Sequence, residues 1–392
     1  MDASNDIIIP SGTRWLTDPN AQAVCAAIMA GGHKVYFVGG CVRNALLGLP
    51  DSDVDMSTDA LPEEVITLVK AAGLKPIPTG VNFGTVTVVA NAEPFEVTTF
   101  RRDIETDGRR AVVAFSKDIT DDARRRDFTM NALYADAQGR VIDPLGGLAD
   151  VLARRIRFIE NADLRIREDY LRTLRFFRFS AWYADPTEGF DTDALDAIAS
   201  NLDGLETLSA ERIGQEMRKL LAAPDPSIAV AAMRSTGVLQ TIMTGADDRW
   251  LAPIVHFEQM LGVQPRWMTR LAALGGIDPQ GNRWMSKREA REYAVLREVA
   301  YGGGSLAEVA YRHGAQIGTT TALIRAAMAE TPPAEDTLET VIQGSDAKFP
   351  VKAKHLMPVV QGAALGAKLA ELEQAWIASG FTLTKSELLN HG

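Results

Sequence analysis

Residues Lys34 to Ser57 read KVYFVGGCVRNALLGLPDSDVDMS. Val35-Tyr36-Phe37-Val38 is a short apolar run and predicts a buried strand. Gly39-Gly40 breaks the run, and Val42 to Leu47 has helical composition and spacing. A glycine pair between a strand and a helix lets backbone approach a phosphate, with the free N–H groups of the helix start facing the anion. Gly40 and Arg43 are therefore candidate phosphate-binding residues, Arg43 through a charge-assisted bond from the first helical turn. Asp53-Val54-Asp55 follows. In a strand, alternation would put both carboxylates on one face and Val54 in the core. Two such carboxylates suit a pair of Mg²⁺ ions in phosphoryl transfer, which makes Asp53 and Asp55 the candidate catalytic and metal-binding residues. Taken singly, an Asp-x-Asp reads as a solvated turn and a Gly-Gly as a plain one. Their order and spacing point to chemistry.

The flanks extend the pattern. Residues 20–31 predict a helix ended by Gly31-Gly32, and Leu61 to Ala72 a second one with Pro62 in its first turn. Phe83 to Ala90 and Phe95 to Arg101 alternate Val, Thr and Phe and predict strands, with a third short one over Ala111 to Phe115. The sum is a small mixed α/β head ending near Asp150. Glu96 reads as a third acid beside the metals or as an exposed strand glutamate. Asp107-Gly108-Arg109 marks a charged turn.

The run GG-x-VR followed by D-x-D resembles the class II nucleotidyltransferases, polymerase-beta-type proteins that include CCA-adding enzymes and poly(A) polymerases. The family writes Asp after the Arg, where this chain has Asn44; that loses a charge beside Arg43 but not the metal pair. Arg125 to Ala132 matches the family's RRDFT-x-NA motif residue for residue. The match implies a clamp in which Arg126 bonds phosphate and Asp127 the ribose hydroxyls. It also implies that the Asp107–Arg109 turn is a lever linked to addition of the final A, and that Asp143 to Asp150 is the hinge after the head. Glu168 to Phe179 predicts a helix on which Asp169, Arg172, Arg175 and Arg178 recur every third residue, drifting about 60° per step. The family reads the incoming base on this helix. A carboxylate at Asp169 and a guanidinium at Arg172 match the edges of cytosine and adenine and oppose those of uracil and guanine. A solvated, salt-bridged helix face is the alternative. Glu211 to Leu221 resembles the neck motif that braces the reading helix.

The chain has 392 residues, 46% hydrophobic and 23% charged, enough for more than one domain. Its two cysteines lack metal-ligand spacing and suit a reducing cytoplasm. No basic, apolar leader is seen in residues 1–10, and no run is long enough to span a membrane. Net charge is −10, but Arg154 to Ser180 carries eight arginines against four acids, a local basic belt. The five histidines form no cluster. Gly362 and Gly366 would let backbone amides approach an RNA phosphate or would mark a tight helix–helix contact.

The expected fold class is α+β: a small mixed-sheet nucleotidyltransferase head (1–150), a helical neck with base recognition (151–225) and a helical body and tail that binds tRNA (226–392). The resemblance implies template-independent addition of C, C and A to tRNA 3′ ends from CTP and ATP, with two Mg²⁺ ions and no obligatory protein partner. Poly(A) synthesis, addition of A alone and a non-enzymatic RNA-binding role are the alternatives.

Overall fold

The computed structural model describes residues 7–107, 110–277, 284–357 and 359–390. Among the described residues nine strands are found: β1 (Val35–Val38), β2 (Asp55–Thr58), β3 (Lys75–Gly80), β4 (Thr85–Ala90), β5 (Glu93–Thr99), β6 (Arg101–Asp107), β7 (Arg110–Phe115), β8 (Tyr134–Ala135) and β9 (Val141–Ile142). Seven form one mixed sheet in the order β3-β4-β5-β2-β1-β8-β9, and β6 and β7 form a separate hairpin. Only β2 and β5 run parallel; every other pairing is antiparallel. The alternation expected of β4 is seen residue by residue, Val86, Val88 and Ala90 being buried and their neighbours half-buried. Helices Pro19–Ala30 and Pro62–Ala71 pack on each other and on β4. The head is thus a mixed sheet backed by helices.

Several expectations shift. The strand carrying the aspartates begins only at Asp55, so Asp53 sits in the loop before it and Val54 is half-buried rather than in the core. The charged stretch after Arg101 adds an unexpected strand, β6, paired antiparallel with β7, which carries the strand expected over Ala111 to Phe115. Gly108, Arg109 and the side chain of Asp107 lie outside the described residues. The predicted helix over Glu168 to Phe179 is two helices, Ala162–Glu168 and Leu171–Tyr183, parted at Asp169-Tyr170. Residues 143–150, expected as the hinge after the head, form a hydrogen-bonded turn that leads into a short helix from Leu148. Asp143 accepts from the Gly147 and Leu148 N–H groups, and a Cβ at Gly147 would lie 2.2 Å from the Thr129 carbonyl oxygen.

Helix Leu171–Tyr183 is held by aromatic packing. Phe128 meets Phe158 at 5.0 Å and Phe179 at 5.1 Å between ring centroids, and Phe158 stacks on Phe176 at 5.6 Å. Helix Ala210–Leu221 braces it through Glu216, which accepts from Arg178, and through Arg212, bonded to Asp169 at 2.7 Å.

The chain divides into two compact units: Met1–Leu220 with Ile228–Ile242, and Leu221–Ser227 with Met243–Gly392. The expected head, and the neck as far as Leu220, share the first unit. The second is wholly helical among the described residues. At its centre Arg270, fully buried, donates to the carbonyls of Leu221, Ala223 and Pro224 and to Glu258. Near its end Trp376 packs against Tyr311, Phe349 and Phe381. A Cβ at Gly362 or Gly366 would meet no atom of the described residues within 4 Å, so among them these glycines make no tight helix–helix contact.

Candidate active site

Strand β1 ends at Val38, Gly39 turns the chain, and helix Gly40–Leu47 begins at once. Gly39 has φ +74°, a conformation that side chains disfavour. A Cβ at Gly40 would lie 2.9 Å from Ser52 Oγ. Gly39 is therefore required by backbone conformation, whereas a Cβ at Gly40 would make the Ser52 hydroxyl turn aside; together they leave the helix start bare beside the acids.

β1 pairs Val38 with Asp55, and β2 pairs Asp55 with Glu96, so two carboxylates stand side by side across parallel strands. Burial, then the Glu96 carboxylate, pushes the Asp55 carboxyl above its ordinary value; Arg126 opposes this and Asp53 adds to it. An excess of negative charge with little compensation is what a divalent cation relieves, so the donor set fits Mg²⁺. Among the described residues no three His, Cys, Asp or Glu side chains are grouped as a complete metal cage. Mg²⁺ commonly keeps waters and substrate oxygens in its shell, so one or two protein carboxylates suffice.

Asp53 and Asp55 line two cavities. The smaller, of about 280 Å³, also contains Gly40, Arg43, Arg126, Asp127, Arg175 and Arg178. Eight of the ten expected residues are thus brought together; Asp169 and Arg172 do not line it. The larger, of about 700 Å³, is bounded by Arg14, Trp15, Thr87, Glu93 and Glu96. One cavity is rich in guanidinium groups and the other in carboxylates.

The arginines are mostly paired. Arg126 bonds Asp122 at 3.0 Å and lies over the Tyr134 ring. Arg178 bonds Glu216, and Arg175 bonds Asp127 at 2.7 Å. Asp127 also accepts from Asn131 Nδ2 and from the Phe128 N–H, so its acceptor sites are filled. Burial works against its charge, but Arg175 and these donors hold its carboxyl well below the usual range. A bond from Asp127 to a ribose would have to displace one of them. Arg172 donates to Glu168 and to the carbonyls of Arg165 and Arg125. Together with Arg165, it clamps the backbone that presents Arg126.

Ser52, Asn131, Phe179 and Tyr183, none of them among the expected site residues, also line the smaller cavity. Phe179 lies 5.2 Å, 5.3 Å and 4.5 Å from the guanidinium carbons of Arg43, Arg175 and Arg178. Phe179 and Tyr183 are four residues apart on one helix, a spacing that puts them on one face. That was the available signal.

The family described as "Poly A polymerase head domain" matches residues 35–157, from β1 past the aspartates and the Arg126 segment. A second, described as "Probable RNA and SrmB- binding site of polymerase A", matches residues 189–248. The chain is 31% identical over 378 residues to CCA tRNA nucleotidyltransferase 1, mitochondrial, of Mus musculus, covering 92% of this chain and 86% of the relative. It is 40% identical over 252 residues to the CCA-adding enzyme of Geobacillus thermodenitrificans, covering 62% of this chain and 60% of that one. The crystal structure of the Bacillus stearothermophilus CCA-adding enzyme in complex with CTP superposes with a TM-score of 0.70 at 28% identity, over 92% of each chain. The chain belongs to the CCA tRNA nucleotidyltransferase family, within the class II nucleotidyltransferases.

Proposed function

We propose that this protein adds C, C and A, without a nucleic-acid template, to the 3′ end of tRNA, using CTP and ATP. The observation that carries the reading is the meeting of two cavities of opposite charge at Asp53 and Asp55. The arginine-lined cavity suits a triphosphate. The carboxylate-rich one repels a triphosphate but accepts hydrogen bonds from ribose hydroxyls, and so suits the acceptor's terminal sugar.

Two Mg²⁺ ions held by Asp53 and Asp55, with Glu96 beside them, would activate the acceptor hydroxyl and neutralise the departing pyrophosphate. The chain's own groups do the positioning. Gly39 and Gly40 admit the triphosphate to the helix start, and Arg43 supplies positive charge there. Arg126 adds a second cation, set by Asp122 and Tyr134. Arg175 and Arg178 line the neck side of the cavity. We assign base choice to Asp169 and Arg172, which must first release Arg212 and Glu168. We read residues 1–150 as the head, 151–225 as the neck and 226–392 as a tRNA-binding body and tail. Among the described residues no helix is long and apolar enough to cross a membrane, and both thiols are free and buried. The cytoplasm is the compartment that fits reduced thiols.

The test is incubation of the pure protein with tRNA lacking its 3′ CCA, with labelled CTP and ATP separately and together. Two C residues from CTP alone, and one A only after them, are expected. A run of A would mean poly(A) synthesis. No transfer with any nucleotide would mean a non-enzymatic RNA-binding protein.

A further inference from the structure

Of the four arginines that line the smaller cavity, three are neutralised by carboxylates: Arg126 by Asp122, Arg175 by Asp127 and Arg178 by Glu216. Arg43 has no carboxylate partner among the described residues. Its side chain is buried, and its N–H groups go to neutral oxygens: Asn44 Oδ1, Asn131 Oδ1 and the Tyr183 hydroxyl. Asn44 Oδ1 takes two of them, from Nε at 3.1 Å and from Nη2 at 2.8 Å. Asn44 Nδ2 donates at 2.8 Å to the Pro50 carbonyl, which fixes which way the amide points.

We infer that Asn44 is a positioning residue that holds Arg43 in place while leaving its charge uncompensated, so that Arg43 supplies the net positive charge felt by the nucleotide's phosphates. This rests on the reading of the smaller cavity as the triphosphate site. A carboxylate at position 44 would accept the same two Arg43 bonds and cancel the charge. It would also set an oxygen against the Pro50 carbonyl in place of a donor. An amide does the holding without the neutralising, because its oxygen is an acceptor but carries no net charge.

The test uses Asn44→Asp, which keeps the side chain's size, with pyrophosphate and uncharged cytidine as inhibitors of CTP incorporation into tRNA. Arg43 should act on phosphate alone. Pyrophosphate inhibition should weaken about tenfold while cytidine inhibition stays within about twofold, and KM for CTP should rise about tenfold with kcat changed far less. Equal weakening of both inhibitors, or no change in either, would overturn the inference. Should the aspartate variant fail to fold, Arg43→Gln must give the same split between the inhibitors, and an unchanged pyrophosphate constant there would overturn it equally. Failure of the functional reading looks different: the unsubstituted protein would not add C and A to tRNA at all.

Discussion

Asp122 is wholly enclosed, and burial alone would raise its carboxyl. The Arg126 and Arg125 guanidiniums, with the Tyr134 hydroxyl, outweigh burial and hold it at about 2. A depressed carboxylate stabilises the folded state above its unfolded value, here 3.8, and loses that contribution as pH falls toward about 2. The shift corresponds to about 2 kcal/mol at neutral pH. Asp122→Asn should therefore lower stability at pH 7 but make little difference at pH 2, measured by denaturant unfolding at both values. A constant deficit across that range would show that lost packing, not the ion pairs, was responsible. Asp53→Ala or Asp55→Ala should abolish transfer while leaving the thermal midpoint in EDTA unchanged or raised, since each relieves repulsion among the acids. Activity above about a tenth of normal, an effect of only about 1.4 kcal/mol, would count against the metal assignment. These acids were legible in sequence because their spacing to Gly39-Gly40 is local. The filled state of Asp127 was not, because Arg175 lies 48 residues further on.

At the scale of elements, the break between helices Ala162–Glu168 and Leu171–Tyr183 changes what the neck can do. Asp169 has φ −155°, outside the helical range, and its Oδ1 accepts from the Leu171 N–H, so it works as a cap rather than as a member of a helical row. No Gly or Pro marks the break, and composition alone therefore runs the two helices together. Strand β3, KPIPTG, was hidden for the opposite reason: two prolines disguise a strand at the sheet edge, where a missing N–H is tolerated. β8 and β9, of two residues each, are too short for alternation to show. Asp169 and Arg172 thus lie on different elements, each in a bond to protein. Arg172→Ala or Asp169→Ala should relax base selection, raising UTP and GTP misincorporation about ten- to a hundredfold relative to CTP and ATP. Single-turnover incorporation of all four nucleotides onto one tRNA measures this. An equal loss for all four, with the ranking kept, would make both residues structural, Arg172 as a clamp on the Arg125 carbonyl and Asp169 as a partner of Arg212.

At the scale of the molecule, the basic belt of eight arginines is less basic than its sequence. Arg165, Arg172, Arg175 and Arg178 turn inward and spend their charge on Glu168, Asp127 and Glu216. Arg154, Arg155, Arg157 and Arg167 stay exposed. Of those, Arg157 is bonded to Asp150, Arg167 to Asp163, and Arg155 lies 4.0 Å from Glu188. Counting residues along the chain shows the local basic belt but not the partners of its arginines, of which Asp127 and Glu216 lie elsewhere in the sequence. With 51 acidic side chains against 41 basic ones, a net charge of −10, the protein has no overall excess of cations to offer a polyanion. Binding of tRNA should then displace few counterions. If about four phosphates are neutralised, the logarithm of affinity should fall with the logarithm of salt concentration with a slope of roughly −3. Equilibrium binding of one tRNA across a salt series measures that slope. A slope steeper than about −6 would mean that at least twice as many cations meet the RNA, and the interface would then have to recruit arginines and lysines beyond the four exposed members of the belt.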